Sequence, residues 1–176
     1  YNTFIELYSK EPTGKNLIFI EVVKEYIENT LNFEFDQIKN KNSRIKIISL
    51  EKKLEYNLTI KNQNVKLKGI IDRIDLFNDE VRIIDYKSGN VNSGVLDIKN
   101  IDKVKKDHKY SYLLQLLFYK YLFDMNDKNI QIKEIGICSL KKRNLPFQFL
   151  KNQAILSLEE IQMIISDILI DICLLY

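Results

Sequence analysis

Three charged residues sit where strands seldom carry charge. The runs "VKLKGIIDRIDLF" (65–77) and "EVRIIDYK" (80–87) are strand-like, yet they hold Asp72 and Asp85 at interior positions and Lys87 two residues after Asp85. Such residues are almost never fully buried without a partner. Side chains at i and i+2 of a strand share a face, so Asp85 and Lys87 point one way and Tyr86 the other. Asn78 and Asp79 both tolerate positive φ, which predicts a two-residue hairpin turn between the runs. Phe77 then pairs with Glu80, and counting back along both strands sets Asp72 opposite Asp85. Directly opposed residues have Cβ atoms about 4.5–5.5 Å apart. Carboxylates that close repel unless a cation lies between them, and hard oxygen donors select Mg2+ or Mn2+. Lys87, on the same face, could orient or deprotonate a metal-bound water, or stabilise charge developing on a phosphate. The chemistry this suggests is metal-assisted hydrolysis of a phosphodiester. A three-residue turn would instead set Asp72 against Tyr86 and send the carboxylates to opposite faces. Gly69 removes a side chain where backbone or substrate could approach closely.

The elements that must position these residues follow from periodicity. Leu17, Ile20, Val23, Ile27 and Leu31 recur at helical spacing, predicting a helix over about 16–33, after an irregular segment 1–14. A loop is expected at 40–44. Leu54, Tyr56, Leu58 and Ile60 alternate as in a strand, and "KNQN" (61–64) turns the chain into the 65–77 strand. Residues 88–107 read as a polar, mobile loop. A strongly apolar helix is expected at 110–123, a strand at 130–140 and a basic turn at 141–144. A last helix starts at Ser157, with Glu160 in capping-box spacing and a face of Ile161, Ile164, Ile165, Ile168, Leu169 and Ile172. The order α-β-β-β-α-β-α describes one mixed α/β domain around a single sheet.

Composition narrows the setting. A chain of 176 residues, 45% hydrophobic and 29% charged, suits one soluble globular domain rather than two. Its net charge of +3 is too small to mark a nucleic-acid binder by itself. Cys138 and Cys173 lack metal-site spacing and are expected to be reduced, buried thiols. No apolar run reaches the about 18 residues of a membrane span, and nothing resembles a signal peptide, so the expectation is a cytoplasmic protein with no membrane partner. The chain begins at Tyr1, which suggests a fragment of a longer protein.

The segments "GIIDRID", "IIDYKSG" and "QLLFY", in that order over about 45–140, resemble the PD-(D/E)xK nuclease superfamily, most closely its RecB/AddB-like branch. The resemblance implies a restriction-endonuclease-like α/β core, with a mixed central sheet flanked by helices. It implies that Asp72 and Asp85 are metal ligands, that the backbone carbonyl of Tyr86 is a further one, and that Lys87 is the catalytic lysine. Gln115 and Tyr119 match a Gln-x-x-x-Tyr motif that supports the site and DNA binding. The implied activity is that of a Mg2+- or Mn2+-dependent deoxyribonuclease, an exonuclease of DNA repair and recombination, with a helicase domain or subunit as partner. The alternative is a catalytically silent DNA-binding or scaffold module on the same fold.

Many RecB-like members carry a metal-binding histidine on the helix before the sheet, and this chain has none there. Its single histidine, His108, lies after the motif and is expected to be solvated. Glu21 or Glu25 could substitute, though a solvated helix face is the simpler role. Two separated cysteines cannot build the four-cysteine iron–sulfur cluster of some relatives. Glu51 stands where relatives have an acidic residue, and Asp75 is expected to pair with Arg73. Lys99, Lys103, Lys105, Lys106, Lys109, Lys141, Lys142 and Arg143 could track phosphates, with Lys103, Lys105 and Lys106 as the DNA contacts. Tyr110 and Tyr112 beside them could stack on exposed bases.

Overall fold

Two left-handed turns organise the sheet. Lys61 and Asn62 (φ 46° and 65°) and Asn78 and Asp79 (φ 51° and 68°) each close a two-residue hairpin. They join β1 (Ile45–Ile60), β2 (Gln63–Phe77) and β3 (Glu80–Lys87) into an antiparallel meander. Phe77 pairs with Glu80, the register expected from the Asn78-Asp79 turn. The computed structural model describes residues 13–152 and 156–173, so most of the 1–14 segment lies outside the described residues.

The chain crosses from β3 through α2 (Ser111–Asn126) to β4 (Ile132–Ser139), which runs parallel to β3. A short β5 (Phe147–Phe149) closes the other edge, giving the order β1-β2-β3-β4-β5. α1 (Lys15–Lys41) precedes the sheet, and α3 (Leu158–Cys173) follows it. The result is a mixed five-stranded sheet flanked by helices. α2 carries apolar residues nearly all round, as a core helix must. Leu113, Leu116, Leu117, Leu122 and Phe123 are buried in the same cluster as Leu54, Leu67, Ile71, Ile83 and Ile135 of the sheet and Ile161 and Ile165 of α3. The expected capping box starts α3: the Glu160 N–H donates to Ser157 Oγ (3.2 Å), and the Ser157 N–H donates to Glu160 Oε2 (2.7 Å).

Four expectations need correction. α1 runs on to Lys41, where Asn42 (φ 51°) stops it by donating its N–H to the Gln37 carbonyl; of its expected face, Leu17, Ile27 and Leu31 are exposed. β1 begins at Ile45 rather than Leu54, because a register shift between Ile47 and Ser49 and a positive φ at Glu51 (50°) hide the alternation. Residues 88–107 are not an irregular loop throughout. They fold into short 3-10 helices, Ser93–Val95 and Ile98–Lys103, with a third at His108–Tyr110. Val91, Leu96 and Ile98 anchor them in the core, and the Asn92, Asp97 and Asp107 side chains accept backbone N–H groups two residues on. β5 was not expected, since three residues after Pro146 are too few to show a period.

Candidate active site

The β2–β3 ladder is regular from Phe77–Glu80 to Arg73–Ile84, so Asp72 and Asp85 come next in the same register. There the backbone pairing gives way to a side chain. Asp72 Oδ2 accepts the Tyr86 N–H at 2.7 Å, capping the ladder and fixing its own carboxylate against β3. Asp85 is only 2% exposed. The Lys87 ammonium lies 2.6 Å from Asp85 Oδ2, but off the line of a hydrogen bond, so this buried oxygen has no aligned donor. Burial pushes the Asp85 carboxyl up, Lys87 pulls it down, and the neighbouring charge of Asp72 pushes it up again. The two carboxylates therefore feel one another.

α2 supplies the roof. Gln115 and Tyr119 lie one turn apart, and Gln115 Nε2 donates to the Tyr119 hydroxyl oxygen at 3.0 Å. That leaves the phenol proton for another acceptor, and the Tyr119 hydroxyl favours the charged form of Asp85. Burial pushes the Tyr119 phenol up, and the charges of Asp85, Asp72 and Glu51 push it further. Tyr119 is thus a protonated donor beside Asp85. Tyr112, a turn before Gln115, places its ring 5.5 Å from the Lys87 ammonium. Gly69 makes room for this helix, a close approach that its missing side chain allows. A Cβ there would fall 2.8 Å from Leu122 Cδ1 and 3.4 Å from the Tyr119 ring.

A divalent cation fits these donors. Asp72 and Asp85 offer hard anionic oxygens, one of them buried without a hydrogen bond. Among the described residues no three His, Cys, Asp or Glu side chains gather as a metal cage. Protein carboxylates would therefore supply only part of the ligand shell, as is usual for Mg2+, which retains waters and takes substrate oxygens.

The opposite face of the same hairpin holds what the sequence reading missed. Arg73, paired with Asp75 as expected (2.5 Å), also donates from two nitrogens to Glu34 of α1 (2.8 and 3.1 Å) and to the Tyr86 hydroxyl (3.0 Å). Asp75 accepts two further bonds from Arg82 (2.8 and 2.9 Å). This network grips Tyr86 from behind, between Asp85 and Lys87. The Asp75–Arg82 pairing was available from the hairpin register; the long-range contact with Glu34 carried no local signal.

The remaining candidates fall elsewhere. Glu21 is exposed and Glu25 pairs with Arg143, so both keep the solvated role. The α1 carboxylate that reaches the sheet is Glu34. His108 is exposed. Lys103 bonds Asn100 Oδ1 (2.9 Å), Lys105 is committed to Asp171 of α3 (2.8 Å), and Lys106 is exposed. Tyr110 is buried in the core and cannot stack on a base, another correction. Cys138 is a free buried thiol, pushed up to about 12 by burial; the Cys173 side chain lies outside the description.

The family model of the PD-(D/E)XK nuclease superfamily matches residues 4–163. A comparison with curated proteins gave no match.

Proposed function

Because the chain belongs to the PD-(D/E)XK nuclease superfamily, we propose that it is a Mg2+- or Mn2+-dependent deoxyribonuclease whose chemistry rests on Asp72, Asp85 and Lys87. The observation that carries this reading is the buried Asp85 carboxylate, 2.6 Å from the Lys87 ammonium and within the field of Asp72. Asp72, Asp85 and the Tyr86 carbonyl would hold the cation, which when bound supplies Lewis acidity and a more acidic water. Asp72 is already oriented by the Tyr86 N–H, so it spends its other oxygen on the ligand. Lys87 has three donors and no lone pair while protonated. It therefore serves the phosphate charge that develops as the water oxygen bonds to phosphorus and the P–O bond to the leaving sugar oxygen breaks. Gln115 fixes the Tyr119 hydroxyl, whose proton then holds Asp85 in place. The attacking water releases one proton to solvent, and the leaving oxygen takes one up from solvent.

The ordered motifs favour the RecB/AddB-like branch, and with it an exonuclease of repair or recombination, in the cytoplasm, working beside a helicase domain or subunit. Among the described residues no helix is long and apolar enough to cross a membrane. Labelled linear and circular DNA, incubated with Mg2+, Mn2+ or EDTA, tests the proposal. Metal-dependent cleavage that disappears in Asp85→Ala supports it, and linear-only cleavage identifies an exonuclease. DNA binding without cleavage in either metal would make the domain a silent module instead.

A further inference from the structure

Next to the carboxylates, the side of α2 and the β1–β2 hairpin leave an open cleft of about 630 Å3. Gln115 and Tyr119, which roof the Asp72–Asp85 site, also line this cleft. Gly69 and Ile70 in its floor precede Asp72 by three and two residues. At about 3.3 Å per strand residue, Gly69 and Ile70 lie roughly 7–10 Å along β2 from Asp72, on the scale of one nucleotide. Its walls are largely carbon, with Leu54 and Ile70 on the sheet side and the half-buried ring of Phe118 on the helix. Lys53 and Lys68 stand at the rim. Glu55, the acid in the wall, is paired with Lys66 and with Lys68 (3.3 Å), so its charge is offset. Lys66 hydrogen bonding holds its carboxyl below the usual range.

An aromatic platform with apolar walls and a cationic rim suits a flat, uncharged ring system linked to phosphates. It does not suit a metal, which would need more anionic oxygen, nor a lipid chain, which would not need the rim. We infer that this cleft is a nucleobase subsite: it takes the unstacked base of the nucleotide adjoining the scissile phosphate, on Phe118, with Lys53 and Lys68 towards the backbone. A base paired in a duplex cannot enter, so the subsite selects single-stranded or frayed ends. The inference rests on the nuclease reading and adds the strand preference to it.

The test is a cycle of protein and substrate changes. Wild type and Phe118→Leu, which keeps an apolar side chain but loses the ring face, are compared under single turnover on single-stranded oligonucleotides. An abasic nucleotide is walked through the positions around the cleaved bond. One position should slow the wild type by about 5- to 100-fold, the scale of one lost base–aromatic stack. Phe118→Leu should lose a similar factor on intact DNA and little more on the abasic strand. No abasic effect above roughly twofold at any position, or losses that multiply independently, would overturn the subsite. The same oligonucleotides binding to Asp85→Asn, read by fluorescence anisotropy, give the parallel result without cleavage. If nothing is cleaved, the nuclease reading fails, and this binding pattern alone decides the subsite.

Discussion

The two faces of one hairpin bury charge in opposite ways. Behind the sheet, Arg73 and Arg82 meet Glu34 and Asp75, two cations against two anions. Each is fixed by charged hydrogen bonds or ion pairs, and only Arg73 Nε lacks a partner. In front, Asp72 and Asp85 have one neighbouring cation, Lys87, which is paired with Asp85, and Glu51 adds a third negative field at Tyr119. A balanced set lowers the cost of burying charge and holds the strands in register. On the front face burial raises the carboxyl of Asp85, and one of its oxygens has no aligned hydrogen bond. The rear face reads as support. The front reads as a place prepared for positive charge that the chain does not itself supply.

Removing one member from each face should separate these roles. The largest effect is expected behind the sheet. Asp75→Asn takes the shared anion from two buried guanidinium groups, and breaking a buried ion-pair set from one side costs about 3–5 kcal/mol. Urea unfolding should show that loss; a change below about 1 kcal/mol would mean that the network is ornamental. On the front face, Lys87→Ala should leave the fold and DNA affinity nearly intact. Its single-turnover cleavage should fall by about 10²–10³, the scale of one preorganised electrostatic group. Lys87→Arg should not fully rescue, since the guanidinium is bulkier and stays protonated. Wild-type cleavage by Lys87→Ala would reduce Lys87 to a strand-end lysine.

The smallest effect concerns stability in EDTA. The Asp85 carboxyl is raised by burial, so the folded state holds that proton more tightly than the unfolded chain. Its favourable contribution is complete below the ordinary carboxylate value and is lost as pH rises through the raised one. Asp85→Asn, uncharged throughout, should therefore melt higher than the wild type at neutral pH, with the gap closing in acid. A variant that melts lower at neutral pH would show that the pairing with Lys87 outweighs burial.

Much of the front face was legible because its signals are local. Two turn residues, Asn78 and Asp79, set the register that brings Asp72 and Asp85 together, and the four-residue spacing of Gln115 and Tyr119 set their shared bond. The rear face was less legible because Arg73 finds Glu34 across a sequence separation of 39 residues, which no period records. The first half of β1 was hidden by the left-handed backbone at Glu51. The 88–107 segment misled for a different reason. Its polar residues serve as turn caps, and three apolar residues at irregular spacing, Val91, Leu96 and Ile98, carry its packing.

Mn2+ binding reads directly whether Asp72 and Asp85 jointly hold a divalent cation. Titrated calorimetrically without DNA, or followed by loss of the free Mn2+ paramagnetic signal, the wild type and Lys87→Ala should both bind. Asp72→Asn and Asp85→Asn should each lose most of that affinity while remaining folded. Folded Asp85→Asn protein that binds Mn2+ as tightly as the wild type would mean that Asp85 is not a metal ligand.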